Sequence, residues 1–189
     1  MFFDRKWLIE QYPDHQDIPF LFFYGHQPSA DGSITKSCFS QWWVAPFEVE
    51  GVVYRTAEHW MMAGKAELFH DNDTLQKILA CGTPEEVKEL GRLVQHFDPA
   101  AWDRHKFDLV VRGSYQKFAQ NAALKEFLLN TGDKVLVEAS PVDGIWGIGM
   151  KRDDPAAGNP SLWKGENLLG FALMEARAKL REKWQEHSR

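Results

Sequence analysis

Tyr54-Arg55-Thr56-Ala57-Glu58-His59-Trp60-Met61-Met62-Ala63-Gly64-Lys65-Ala66-Glu67-Leu68-Phe69 is the stretch on which the fold turns. The hydroxyl of Thr56 can accept an otherwise unpaired N–H of a first helical turn, which predicts a helix from Ala57 to about Phe69. Ala57, Trp60, Met61, Gly64 and Leu68 then share one stripe at helical spacing and should face a core. Beside that stripe Glu58, Met62, Lys65 and Phe69 share a second face, with Glu58 and Lys65 about 10 Å apart along the axis. A carboxylate and an amine flanking a methionine form either a solvated face carrying two unrelated charges or one wall of a site. Glu58 is also a good helix starter in its own right, because the macrodipole favours its ionised form in the first turn.

On the N-terminal side of this helix, Cys38 to Val44 and Phe47 to Tyr54 read as short strands separated by Pro46 and turned at Glu50-Gly51. Gln27 to Lys36, with Pro28 and Gly32, reads as a loop, and Ile18 to Tyr24 as a buried strand ending in a turn at Gly25. Residues 1 to about 17 are polar and read as irregular. On the C-terminal side a helix is expected through Thr74 to Ala80. The next begins at Thr83-Pro84-Glu85-Glu86, a capping box with proline at the first helical position, and runs to about Val94. A long helix opens at Asp98-Pro99 and passes through Phe118, and a shorter one covers Ala122 to Leu129. Lys134 to Ala139 alternates as a strand. A final helix runs from about Asn167 to Gln185, where Gly170 signals close packing against a neighbour. Asp143 to Gly165 holds five of the 14 glycines with no period, so it reads as a long functional loop.

Composition narrows the function. The 189 residues include 8 Trp, 13 Phe and 4 Tyr, more rings than one core of this size needs as filling, so some should line a pocket. A net charge of -5 gives no global field for a polyanion or an acidic membrane. The two cysteines, Cys38 and Cys81, have no ligand spacing around them, which argues against a disulfide framework and against structural zinc. No two histidines have ligand spacing, so no catalytic metal is expected. Phosphate-loop, dinucleotide and nucleophile-elbow motifs are missing. The start lacks a signal-peptide layout and the apolar runs are too short to span a bilayer, so a cytoplasmic, membrane-free chain is expected.

Three segments carry candidate chemistry. Besides Glu58 and Lys65, the run Glu138 to Gly149 offers Glu138 and Asp143 with Trp146 bracketed by Gly144 and Gly147, a layout in which backbone approaches a flat ligand while the indole stacks on it. A glycine-rich turn with Trp146 in the core accounts for the same residues. Tyr24-Gly25 and Phe39-Ser40-Gln41-Trp42 alternate rings with polar groups, as recognition of a heterocycle requires.

In this order Tyr24-Gly25, Phe39-Ser40-Gln41-Trp42, Tyr54 to Trp60 with Lys65, Gly91-Arg92, Trp102, Glu138 to Gly149, and Gly165-Glu166-Asn167-Leu168-Leu169-Gly170 with Arg177 resemble the motifs of the YbiA/NADAR family, from about residue 22 to 181. Ser40-Gln41-Trp42 stands where the family has Ser-Asn-Phe, and Ala66 where an aromatic usually follows the lysine. The resemblance implies an α+β fold, mostly helical, with residues 1–189 forming a single domain around a small β-sheet. It implies hydrolysis of an N-glycosidic bond with no metal and no cofactor. Lys65, Glu58, Asp143 and Glu138 are then the catalytic candidates, and Tyr24, Gly25, Ser40, Gln41, Trp42, His59, Arg92, Trp146, Gly147 and Asn167 the substrate-binding ones.

The substrates so implied are phosphoribosylamino intermediates of riboflavin biosynthesis and ADP-ribose linked to a nucleobase, notably guanine in DNA. Lys65 is preferred as nucleophile by the same resemblance. Its apolar neighbours would lower its pKa and an ionised Glu58 would raise it, and the sequence leaves that balance open. A noncatalytic ADP-ribose or nucleotide binding module is the alternative. A plain structural role leaves the polar residues among the rings unexplained.

Overall fold

The computed structural model describes residues 3–187, with side chains as far as residue 183. At its centre lies the helix expected from Thr56, here α2 (Ala57–Leu68). Thr56 caps it by accepting from the His59 N–H, and eight of its twelve residues are buried, so α2 is a core helix with no solvated face along its first two turns. The helices α3 (Asn72–Ala80), α4 (Pro84–Arg92) and α5 (Pro99–Gln120) pack around it. Thr83 caps α4 and Asp98 caps α5, each followed by the expected proline. α4 crosses α2 at Gly91, where a Cβ would run into the Met62 side chain, so a larger residue there would require Met62 to shift.

The rest of the chain closes the core from the other side. α6 (Ala122–Leu129) leads into a strand, Val135–Glu138, and the closing helix α7 (Leu168–His187) packs on α5 and on that strand. Gly170 lies against the Leu136 carbonyl, the close contact its position in the sequence implied. In chain order the strands are β1 (Phe20–Phe23), β2 (Phe47–Val49), β3 (Val52–Tyr54) and β4 (Val135–Glu138). β1 pairs with β4 in parallel, from Phe20 opposite Val135 to Phe23 opposite Glu138. The Tyr24-Gly25 turn therefore leaves the sheet beside Glu138. β2 and β3 form a hairpin at Glu50-Gly51, both with positive φ (52° and 81°), as a tight two-residue turn demands. The fold is α+β and mostly helical, with two separate two-stranded sheets in place of one.

Two expectations are corrected. The first 17 residues are not all irregular: Asp4 accepts from the Trp7 N–H at 2.6 Å and starts α1 (Arg5–Gln11), which buries Leu8. Cys38 to Val44 is not a strand but a short 3-10 turn (Lys36–Phe39) followed by irregular chain. Side chains at the end of α5 serve this backbone in place of a neighbouring strand. Lys117 donates to the carbonyls of Cys38 and Ser40, Asn121 to that of Pro46, and Gln120 bonds both backbone groups of Glu48. Among the described residues no helix is long and apolar enough to cross a membrane.

Candidate active site

A cavity of about 640 Å³ opens where the ends of β1 and β4 meet α2, α4 and the loop after β4. The expected residues Tyr24, Gly25, Ser40, Gln41, Trp42, Glu58, Lys65, Arg92, Glu138, Asp143 and Trp146 all line it. The helix of Glu58 and Lys65 and the indole loop thus share one chamber.

One side is acidic. Glu58 is only 4% exposed, and its backbone N–H is fixed by the Gln41 carbonyl at 3.0 Å. Burial pushes its carboxyl up to about 7. The Asp143 charge adds to that rise, while Lys88 and a hydrogen bond from the Trp42 side chain oppose it. Glu138 is pushed up to about 8 by burial and then by the Asp143 and Glu58 charges, and its Oε2 is enclosed without a hydrogen-bond partner. Asp143 has a different duty. One of its carboxylate oxygens accepts the N–H groups of Ile145 and Trp146 at 2.9 and 2.8 Å, which folds the loop and sets the indole at the cavity wall.

Two turns further along the same face of α2 stands the amine. Lys65 Nζ donates to the Gly91 carbonyl at 2.7 Å and lies 4.2 Å from the centre of the Phe97 ring and 5.8 Å from that of Trp102. Burial lowers its pKa. Of the two opposed effects that the sequence left open, desolvation is the one expressed.

His59, Gly147 and Asn167 do not line the cavity. His59 is buried between the Thr56 hydroxyl and the Cys81 carbonyl. Asn167, fully buried at positive φ, bonds the Glu138 N–H and the Leu136 carbonyl, extending the edge of β4 as a further strand would. Gly147 packs so closely on the Glu138 carbonyl that a side chain there would collide with it. All three hold up the residues that do face the cavity.

Lys88 escaped the sequence reading. It lines the cavity with its Nζ 5.6 Å from the centre of the Trp42 ring, and its charge bears on both glutamates. Its signal was the i, i+4 spacing to Arg92 on a well-capped helix, but nothing in that spacing says which way the face points. Met61, Ser140 and the His26-Gln27 pair also line the wall. Among the described residues no three His, Cys, Asp or Glu side chains are grouped to hold a metal ion.

The NADAR domain model matches residues 22–181. The chain belongs to the NADAR domain family. An N-glycosidase of Acanthamoeba polyphaga mimivirus is 42% identical over 84% of this chain and 94% of its own length. The NMR structure of the E. coli protein YbiA superposes with a TM-score of 0.69 at 27% identity, covering 92% of this chain and 95% of that one. The riboflavin biosynthesis protein PYRR of Zea mays is 33% identical over 66% of this chain, which spans 19% of that protein. As a NADAR member this close to named N-glycosidases over most of its length, the chain is itself an N-glycosidase. The binding-module alternative gives way to turnover.

Proposed function

We propose that the NADAR cavity hydrolyses the C–N bond between C1' of a ribose and a nitrogen of a base or amine. The observation that carries this reading is the convergence on one cavity of a partly desolvated amine at Lys65 and the raised carboxyls of Glu58 and Glu138. Neutral Lys65 attacks C1', and the electrons of the C1'–N bond pass to the departing nitrogen, which takes the proton of Glu138. Glu58, as carboxylate, stabilises the positive charge that builds on the sugar and accepts the proton that Lys65 loses. The ring then opens, its oxygen taking the proton held by Glu58, to give a Schiff base; water adds to the imine carbon and returns a proton to Glu138, and Lys65 leaves as the free sugar closes. The balance is one water consumed for one C–N bond cleaved. Trp42 and Trp146 offer faces for the leaving heterocycle, and Lys88 with Arg92 offers cations for substrate phosphate.

Both ADP-ribose on a nucleobase, guanine in DNA included, and phosphoribosylamino pyrimidines combine a ribosyl C–N bond, a flat leaving group and phosphate. The name of the maize relative favours the second and the aromatic wall suits either. A mass-spectrometric screen for released base or amine, with ADP-ribosylated DNA beside phosphoribosylamino pyrimidines, decides between them. Release from one names the substrate group, and release from neither overturns the reading.

A further inference from the structure

Lys117 takes no part in the scheme above and does not line the cavity, yet it is among the most deeply buried side chains of the chain, at 1% exposure. It lies in the last turn of α5 with its Nζ pointed at the turn that precedes Trp42. The ammonium donates to the Cys38 carbonyl at 2.7 Å and to the Ser40 carbonyl at 2.8 Å, and packs 5.2 Å from the centre of the Phe118 ring. The described residues give it no carboxylate partner within ion-pair distance, and burial pushes it down to about 7, with the Cys38 thiol the one titratable neighbour that opposes this. A buried lysine without a counter-ion is costly to keep, so a chain that retains one gains something from its reach and its donors.

What those donors hold is one wall of the site. Ser40, Gln41 and Trp42 line the cavity directly after the two carbonyls. The Ser40 hydroxyl accepts the Trp42 N–H at 3.1 Å and the Gln41 carbonyl accepts the Glu58 N–H at 3.0 Å, while the Trp42 side chain opposes the rise that burial imposes on the Glu58 carboxyl. A continuous path of bonds therefore runs from Lys117 through the 38–42 backbone to Glu58. We propose that Lys117 is a positioning residue that locks the Ser40-Gln41-Trp42 wall, so that the Gln41 carbonyl keeps its hold on the Glu58 N–H and the Trp42 side chain keeps its place beside the Glu58 carboxyl. Lys88 on α4, Asp143 on the loop after β4 and Glu138 at the end of β4 face Glu58 directly, whereas Lys117 acts on it only through this wall. The proposal rests on Glu58 as a reacting carboxyl, but its geometry exists in the resting enzyme and is tested there.

The test is a carbon-13 NMR titration of the Glu58 carboxyl, assigned by its loss in Glu58→Gln, in the intact chain without substrate. Lys117→Met fills nearly the same space without donors, and it should raise the Glu58 midpoint by about one pH unit, the value of one hydrogen bond to a charged group. Trp42→Phe should raise it equally, and the double variant no further. A folded Lys117→Met whose Glu58 midpoint is unmoved, or a double variant whose shifts add, overturns the proposal. Should Lys117→Met not fold, Trp42→Phe still decides, since an unmoved midpoint there removes the link on which the lysine's role depends. In turnover the lysine variant should lose kcat more than it raises KM. Release of product from neither substrate group would defeat the functional reading while leaving this titration intact.

Discussion

At the acidic end of the cavity Glu58 and Glu138 are pushed up to about 7 and about 8; at the amine end Lys65 is pushed down, and burial is the largest cause in all three. The two sides carry opposite formal charges and answer the same low dielectric in opposite directions, each toward its neutral form. In open water the pair would be a carboxylate and an ammonium, unable to donate the proton or to attack. Asp143 marks the contrast within the acidic side. Its oxygen is spent on two loop N–H groups, and it serves as the charge that raises its neighbours.

Removing the amine should have the largest effect. Lys65→Met is expected to lower kcat/KM on the order of 10⁴-fold or more, as loss of a nucleophile does. Borohydride added during turnover should join sugar to the wild-type chain at Lys65, read by peptide mass, and an active enzyme that yields no adduct would assign the chemistry to the carboxyls alone. On the acidic side Glu58→Gln should cost about 10²- to 10⁴-fold in kcat. It should not destabilise the fold near neutral pH. A carboxyl raised in the folded state contributes stability that is fully present below its unfolded pKa, near 4.5, and is lost as pH rises through about 7. Thermal unfolding of wild type should therefore fall in Tm across that window, and the variant should show a shallower fall.

Intact, the two glutamates set a pH profile. A step needing ionised Glu58 weakens as pH drops through about 7, and one needing protonated Glu138 weakens as pH climbs through about 8, so kcat/KM should be bell-shaped with a narrow top between them. Trp146→Ala should lower kcat/KM by about tenfold or less, the worth of one aromatic contact. The smallest change is expected of Lys88→Gln. Its charge opposes the rise of both glutamates, so both limbs of the profile should move to higher pH, with a loss of height of only a few-fold from the missing phosphate cation.

The helices were legible because their signals are local. Thr56, Thr83-Pro84 and Asp98-Pro99 announce their own caps, and α2 to α6 begin within about two residues of the expected places. The turn at 38–44 was not legible, since the group that satisfies its Cys38 and Ser40 carbonyls sits on Lys117, more than seventy residues further on. The short α1 was missed because one capping aspartate in a polar stretch is a weak signal without sight of the core into which Leu8 fits. In the site, the motifs identified which segments meet at the cavity but not which way each side chain faces. His59 stands in the same motif as Glu58 yet turns into the core, and Asn167 spends its amide on the sheet edge.

The parallel pairing of β1 with β4 carries a consequence for synthesis. Their partners are about 115 residues apart, so on a ribosome the Phe20–Phe23 segment emerges long before the strand that will cover its edge. During that interval a row of backbone groups and phenylalanines waits unpaired, a natural target for holding chaperones. A truncated chain that stops before residue 135 would carry Glu58 and Lys65 in their helix but no chamber around them.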